Sequence, residues 1–380
     1  MDIPRVAFIH DYLVQYGGAE KTLEIMSDIF PEAEIFTGIY KPDLLSKKLN
    51  SKKIISPGTS LLSKWPKYFT FLMPLYFENF DLRNYDLIIS SGNAWAKGVL
   101  TKPTQLHISY IHTPPRFLYK YSVESTNRNN WYYKPFVSFI DTSLRVWDYI
   151  SAQRPDYLLT NSRETSKRIQ KFYRREATVI YPPVDVETKP AVESDNLKAP
   201  YYLAAGRLAA YKNFDLIIQA FNLLGLPLEV IGTGKEESKL KKMAKDNIKF
   251  LGQASDEVKF RKMNECMGLI FPVEEEDFGI VPIEAMSQGK PVLAHRSGGV
   301  LETLRDGIDG MFFDKVTLEE FVSKMKEFDE NIKKSVYNSN SIRDHVQKYS
   351  VNRFKKEFEA FVSNKWDQFL YEQKGVAFRA

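Results

Sequence analysis

The sequence predicts an α/β protein built from two doubly wound parallel sheets in series. Three observations carry that expectation. Short apolar runs alternate with segments long enough for helices. The alternation breaks once, at a polar stretch marked by prolines, and then restarts. The length, 380 residues, exceeds what most single cores use and suggests roughly two domains.

The first half begins with the apolar run Arg5–His10, a loop holding Gly17 and Gly18, and a helical pattern over Ala19–Met26. It reads as strand, glycine loop, helix. Further strand candidates are Leu87–Ser90, His107–Ile111, Tyr157–Thr160 and Ala177–Tyr181. Helical crossovers between them argue for a parallel sheet. Pro182 and Pro183 then open a polar stretch, Asp185 to Pro200, without periodicity, which reads as the hinge between domains. The pattern restarts at Tyr201–Ala205, followed by a glycine turn and the amphipathic Asp215–Phe221. Strand candidates follow at Leu228–Ile231, Ile248–Leu251, Gly268–Phe271 and Pro291–Ala294. The final stretch carries Phe354, Phe358, Phe361, Trp366 and Phe369 at near-helical spacing, as a core-facing helix would. The expected domains are residues 1–182 and 183–351, with a last helix over about 352–380.

Composition narrows the function classes. Hydrophobic residues at 43% and charged residues at 27% fit a globular chain, neither disordered nor a coiled coil. No apolar run reaches the roughly 18 residues a membrane span requires. The start Met1–Arg5 lacks the basic flank and apolar core of a secretory signal, and Cys266 is the only cysteine, so a reducing cytoplasm is the simplest expected home. A net charge of +5 is too mild to indicate a nucleic-acid binder and favours anionic ligands or anionic lipid surfaces. The segment Leu61 to Leu82 is unusually aromatic, with Lys64 and Lys67 at its front. It reads either as an interfacial segment for an anionic membrane or as buried core.

The most informative run is Glu276-Asp277-Phe278-Gly279-Ile280-Val281-Pro282-Ile283-Glu284. Pro282 suits the first position of a helix, where its missing amide hydrogen would have had no partner. The N–H groups of Gly279, Ile280 and Val281 then face a ligand with the positive end of the helix dipole behind them, as phosphate or sugar oxygens require. A carboxylate can accept from two neighbouring hydroxyls, so Glu276 before the turn and Glu284 after it can each grip a diol. Glu284 also reads as a first-turn acid complementing the dipole.

Gly206, Arg207 and Lys212 follow the first strand of the second half. A planar guanidinium and a mobile ammonium there suit a diphosphate, although both also read as solvated surface charges. Gly17 and Gly18 would let backbone approach phosphates with no Cβ in the way. His112, just after a strand, is either a ligand contact or a satisfied structural residue. His10, His107, His112, His295 and His345 are not spaced as a metal-ligand set, and Asp185-Val186-Glu187 resembles an acidic metal motif only superficially. The run Gly232-Thr233-Gly234 after a strand raises a nicotinamide-binding alternative, but Glu237 stands where a third glycine belongs. A catalytically dead sugar-nucleotide sensor is the other rival.

These residues resemble the retaining glycosyltransferases of family four, with the two-domain GT-B architecture, over nearly the whole chain. The pieces are Gly17-Gly18-Ala19-Glu20, Asn161-Ser162, Gly206-Arg207-Leu208 with Lys212-Asn213, Phe250-Leu251-Gly252-Gln253, and Glu276 to Glu284 followed by Ala285-Met286 and Gly289-Lys290-Pro291-Val292. The resemblance implies that Arg207 and Lys212, helped by the backbone of Gly17 and Gly18, bind the donor diphosphate. It implies that Glu284 binds the ribose, that Glu276 and His112 contact the transferred sugar, and that Ala254, Asp256 and Lys259 surround the nucleobase. It implies too that the last helix crosses back to the first domain. The segment Tyr110–Tyr119 resembles a subgroup that moves mannose from GDP-mannose during assembly of bacterial surface polysaccharides. No metal is expected. The expected acceptor is a saccharide or a polyprenyl-diphosphate-linked saccharide, met at the inner face of the plasma membrane. Glu276 is the residue most nearly placed to act instead as a nucleophile.

Overall fold

A computed structural model of the chain describes residues 4–56, 70–119, 134–187 and 200–377. Lys64, Lys67 and most of the proline-rich stretch after Glu187 lie outside the described residues. Two units divide the chain: the first runs to Pro183 and takes in the C-terminal segment from Val351, and the second is Val184–Ser350.

The first unit holds a seven-stranded sheet in the order β3-β2-β1-β4-β5-β6-β7, every pairing parallel. Its strands are β1 (Val6–His10), β2 (Glu34–Thr37), β3 (Ile54–Ile55), β4 (Leu87–Gly92), β5 (Leu106–Ile111), β6 (Tyr157–Thr160) and β7 (Thr178–Val179). β1 is buried at all five positions, which is why it reads as a continuous apolar run and not as an alternation. Successive side chains serve opposite faces. Val6 and Phe8 join a core with Leu23, Met26, Phe354 and Phe358, while Ala7 and Ile9 join another with Phe36, Met73 and Phe77. The helix Val351–Ala377 is thus part of this unit's core through Phe354 and Phe358, with Phe361, Trp366 and Phe369 packed at its margin.

The second unit holds a six-stranded sheet in the order β10-β9-β8-β11-β12-β13, again wholly parallel. Its strands are β8 (Tyr202–Ala205), β9 (Leu228–Ile231), β10 (Ile248–Gly252), β11 (Leu269–Phe271), β12 (Val292–His295) and β13 (Gly310–Phe313). The apolar stripe of helix Phe214–Leu224, with Phe214, Ile217, Ile218 and Phe221, packs on Tyr202, Ala204, Val230 and Ile270. Each fully buried side chain of this size contributes about 1.5–3 kcal/mol.

Both sheets reverse strand order beside their first strand, between β1 and β4 and between β8 and β11. In open α/β sheets the crevice beyond the carboxyl ends at such a reversal is where ligands bind. Gly17 and Gly18 follow β1, Arg207 and Lys212 follow β8, and Glu276 follows β11.

Candidate functional site

In the second unit the site is assembled from loops that glycine allows to lie close together. Gly206 leaves β8 at φ +149, and its N–H donates to Ile231 O at 3.0 Å. A Cβ on Gly232 would lie 1.9 Å from Gly206 O, and one on Gly234 would lie 2.2 Å from Leu208 O. The two glycines that suggest a dinucleotide loop therefore face the chain's own backbone, and the nicotinamide alternative loses its main support. After Arg207, which is exposed, Leu208 is fully buried and anchors the loop. Asn213, in the left-handed region at φ +54, caps the helix Phe214–Leu224. Its Nδ2 donates to Pro272 O at 3.0 Å and to Glu274 Oε1 at 3.2 Å, tying the β8 loop to the β11 loop.

That tie brings Lys212 Nζ to 2.5 Å from Glu276 Oε2. Lys212 is largely buried, which by itself would lower its pKa, but the Glu276 carboxylate, with Tyr211 and Asp277 adding to it, more than offsets burial and holds the ammonium above its ordinary value. Phe271 and Tyr211 flank it, 5.6 and 5.1 Å from ring centre to Nζ.

The helix that follows begins earlier than the sequence suggests. It spans Ile280–Ser287, with Gly279 at the N-cap at φ +93, so Pro282 is its third residue and not its first. The early N–H groups of a helix have no intrahelical partner, so proline is tolerated throughout the first turn and does not mark its start. Glu284 consequently lies beyond the first turn, where the dipole reading no longer accounts for it. The amides of Ile280 and Val281 open the helix. Phe278 is 2% exposed with its ring 5.4 Å from that of Tyr349, so its side chain is committed to the core.

Glu284 is buried, and Lys259 Nζ lies 2.6 Å from its Oε1. Lys259 comes from the helix Asp256–Glu265, whose N-cap Ser255 follows Ala254 and accepts from Val258 N. It also reaches Asp256 at 3.2 Å. Burial pulls the Lys259 pKa down, and the two acids, Glu284 foremost, more than reverse this. Of the three residues expected around a nucleobase, Lys259 thus has its ammonium on the expected ribose acid. The unit brings together Lys212 with Glu276 and Lys259 with Glu284.

In the first unit the loop after β1 is fixed by acids. Glu20 Oε2 accepts from Gly17 N at 2.8 Å, where the helix Gly18–Ile29 starts. Its other oxygen is 4.0 Å from His10 Nε2. Burial would raise the Glu20 pKa, but His10 and the Gly17 amide hold it below the usual carboxylate value. Asp11 spends its whole carboxylate on the loop after β4: Oδ2 accepts from Asn93 N and Ala94 N at 2.7 and 2.9 Å, and Oδ1 from Trp95 N and Ala96 N at 2.8 and 2.7 Å. His112 follows β5. Its amide donates to Gly92 O at 3.1 Å, and its Nε2 is 3.0 Å from Ser91 Oγ. Burial, with a smaller push from His10, lowers its pKa to about 4, so the ring is neutral at neutral pH. Asp11 and Ser91 drew no attention in the sequence, since an acid and a serine beside strands carry no spacing signature.

Residues 185–344 match the family model described as Glycosyl transferases group 1. Among curated proteins the chain is similar to an uncharacterised glycosyltransferase of Methanocaldococcus jannaschii, 28% identical over 46% of this chain and 50% of the other. It is also similar to the alpha-1,3/1,6-mannosyltransferase ALG2 of Candida glabrata, 27% identical over 51% of this chain and 52% of the other. The chain spans about half the length of these curated relatives. Among solved structures, HepE of Anabaena in complex with UDP superposes with a TM-score of 0.70 at 16% identity, covering 95% of this chain and all of that one. Sucrose-phosphate synthase of Thermosynechococcus elongatus gives 0.75 at 15% identity, over 96% of this chain and all of that one. The fold is GT-B, and within it residues 185–344 carry the group 1 glycosyl transferase match.

Proposed function

We propose that the protein is a retaining glycosyltransferase that moves a hexose, mannose from GDP-mannose, onto a saccharide or polyprenyl-diphosphate-linked saccharide acceptor. The observation that carries this reading is the pairing of Lys212 with Glu276 on adjacent loops at the β8/β11 reversal. An acid that accepts from sugar hydroxyls stands there beside a cation suited to the leaving phosphate. In the reaction the bond between the anomeric carbon and the phosphate oxygen breaks, and its electron pair leaves with the nucleoside diphosphate. The acceptor oxygen bonds to the anomeric carbon on the face the diphosphate leaves, and its proton passes to a phosphate oxygen. Arg207, Lys212 and the amides opening the helix at Ile280 take up the developing negative charge, so no metal ion is required for that role. Glu284 holds the ribose. His112, neutral, is assigned to the transferred sugar, and the backbone of Gly17 and Gly18 to the diphosphate.

Mannose is favoured because several relatives bear the name alpha-1,3/1,6-mannosyltransferase, including that of Schizosaccharomyces pombe, 24% identical over 66% of this chain and 57% of the other. We place the protein at the cytoplasmic face of the membrane that holds its acceptor. No described helix is long and apolar enough to cross a membrane. The test is incubation with a panel of nucleotide sugars, following nucleoside diphosphate release with and without EDTA. The expected result is preference for GDP-mannose and insensitivity to EDTA. Preference for a uridine donor overturns the donor assignment, binding without turnover favours the non-catalytic sensor, and neither binding nor turnover overturns the reading.

A further inference from the structure

The loop carrying Glu276 is held from behind by the loop that follows β12. Glu275 adopts φ +51, a left-handed conformation that strains a non-glycine residue and persists only where neighbours enforce it. The enforcement is visible. Glu275 N–H donates to Ser297 Oγ at 3.0 Å, and Gly299 N–H donates to Glu276 O at 2.8 Å. A Cβ on Gly298 would lie 2.4 Å from Glu276 O, and one on Gly299 would lie 2.4 Å from Asp277 O. The two loops are in backbone contact from Glu275 to Phe278, on both sides of residue 276.

Ser297 is itself oriented. His295 Nε2 lies 3.1 Å from Asp314 O, and a carbonyl only accepts, so the ring proton sits on Nε2. That leaves His295 Nδ1 as an acceptor at 2.8 Å from Ser297 Oγ. The hydroxyl hydrogen therefore points to His295, and a lone pair of Oγ is turned to the Glu275 amide. The chain of bonds runs one way, from Glu275 N–H through Ser297 to His295 and on to the Asp314 carbonyl. His295 is seated by the Phe313 ring, 5.2 Å between centres, at the end of β12.

We propose that Ser297, oriented by His295 and abutted through Gly298 and Gly299, is a positioning residue that sets Glu276 and, through it, Lys212 for the transfer step. The inference rests on the function proposed above and adds a residue group that touches neither substrate nor leaving group. Ser297→Ala removes the hydroxyl that holds the left-handed turn, whereas Ser297→Thr keeps it. Because small misplacements of a catalytic group cost up to about 100-fold in rate, the expected result for Ser297→Ala is a fall in kcat of about 10- to 100-fold. Binding of guanosine or uridine alone should stay within about twofold, since Glu284 and Lys259, assigned to the ribose and base, are paired with each other off this loop. Ser297→Thr should restore most of the rate.

The discriminating measurement is a double-mutant cycle with Glu276→Gln. If Ser297 acts through Glu276, adding Ser297→Ala to Glu276→Gln changes the residual rate little. Independent, multiplicative losses overturn the proposal, as does a wild-type rate in Ser297→Ala or an equal loss of guanosine or uridine affinity. A wild-type protein inactive on every donor sinks the proposed function and this inference with it. An active wild type with an indifferent Ser297→Ala sinks the inference alone.

Discussion

Replacing Asp11 with asparagine tests how the first unit holds its functional loops. The carboxylate accepts four backbone N–H groups, two on each oxygen. An amide of the same size keeps one oxygen and presents N–H groups to the other pair. The less costly orientation turns the NH2 toward Asn93 and Ala94, because Asn93 is exposed and water can replace its partner. Ala94 is only 6% exposed, so its amide is stranded, at about 1–3 kcal/mol, and the loss at Asn93 adds about 0.5–1.5 kcal/mol. The expected destabilisation is about 3 kcal/mol, which for a unit of this size lowers the melting midpoint by about 6–12 °C. The sequence has no tryptophan between Val184 and Ser350, the span of the second unit, while Trp95, Trp147 and Trp366 lie in the first, so tryptophan fluorescence reports the first unit's melting separately from that of the second. A midpoint within 1 °C of wild type would refute the reasoning. Loss of His112 function with an unchanged midpoint would show that Asp11 acts otherwise than by holding the loop.

Further perturbations test other parts of the structure. Lys259→Met leaves the buried Glu284 facing an apolar side chain; breaking a buried pair costs about 3–5 kcal/mol, and because both partners retain some exposure about 2–3 kcal/mol is expected, read by calorimetry of the second unit. The Lys259 pKa is raised, so that loss should be constant from pH 6 to 9 and shrink only above the usual lysine range. Acidification acts on the first unit: burial lowers His112 to about 4 and His107 to about 3, so their contribution is complete above the ordinary value of about 6.5 and is lost as pH falls below it. For His112 that amounts to on the order of 3 kcal/mol by pH 4, and His112→Gln should flatten the fluorescence-monitored decline. Gly232→Ala, at φ +137 with its Cβ 1.9 Å from Gly206 O, should destabilise the second unit by more than about 3 kcal/mol. Proper folding at the wild-type midpoint would contradict the close approach.

How much of this was legible in the sequence depends on whether a feature is local. Central strands such as β1 and β5 are buried on both faces, so each leaves an unbroken apolar run that needs no partner to be recognised. β3 is two residues long, and β13 opens on Gly310 at φ +152; neither carries enough pattern to stand out. The acids at 276 and 284 were visible as a motif, but their partners were not. Lys212 lies 64 residues before Glu276 and Lys259 25 before Glu284, and only the strand order of the sheet brings them close.

Glycine shows the same limit most clearly, because it announces a close approach without naming what approaches. Gly232 and Gly234 carry the spacing that elsewhere admits a pyrophosphate, yet here the space is taken by the backbone of Gly206 and Leu208. Gly298 and Gly299 lie in a stretch with no recognised motif, and the space they leave is filled by Glu276 and Asp277. In each pair the missing Cβ lets one loop of the second unit press against another, and the loops so pressed carry Arg207 and Glu276. A glycine rule read from sequence assigns the gap to a ligand; the structure assigns it to the chain, where the same absence of a side chain holds the loops of Arg207 and Glu276 in place.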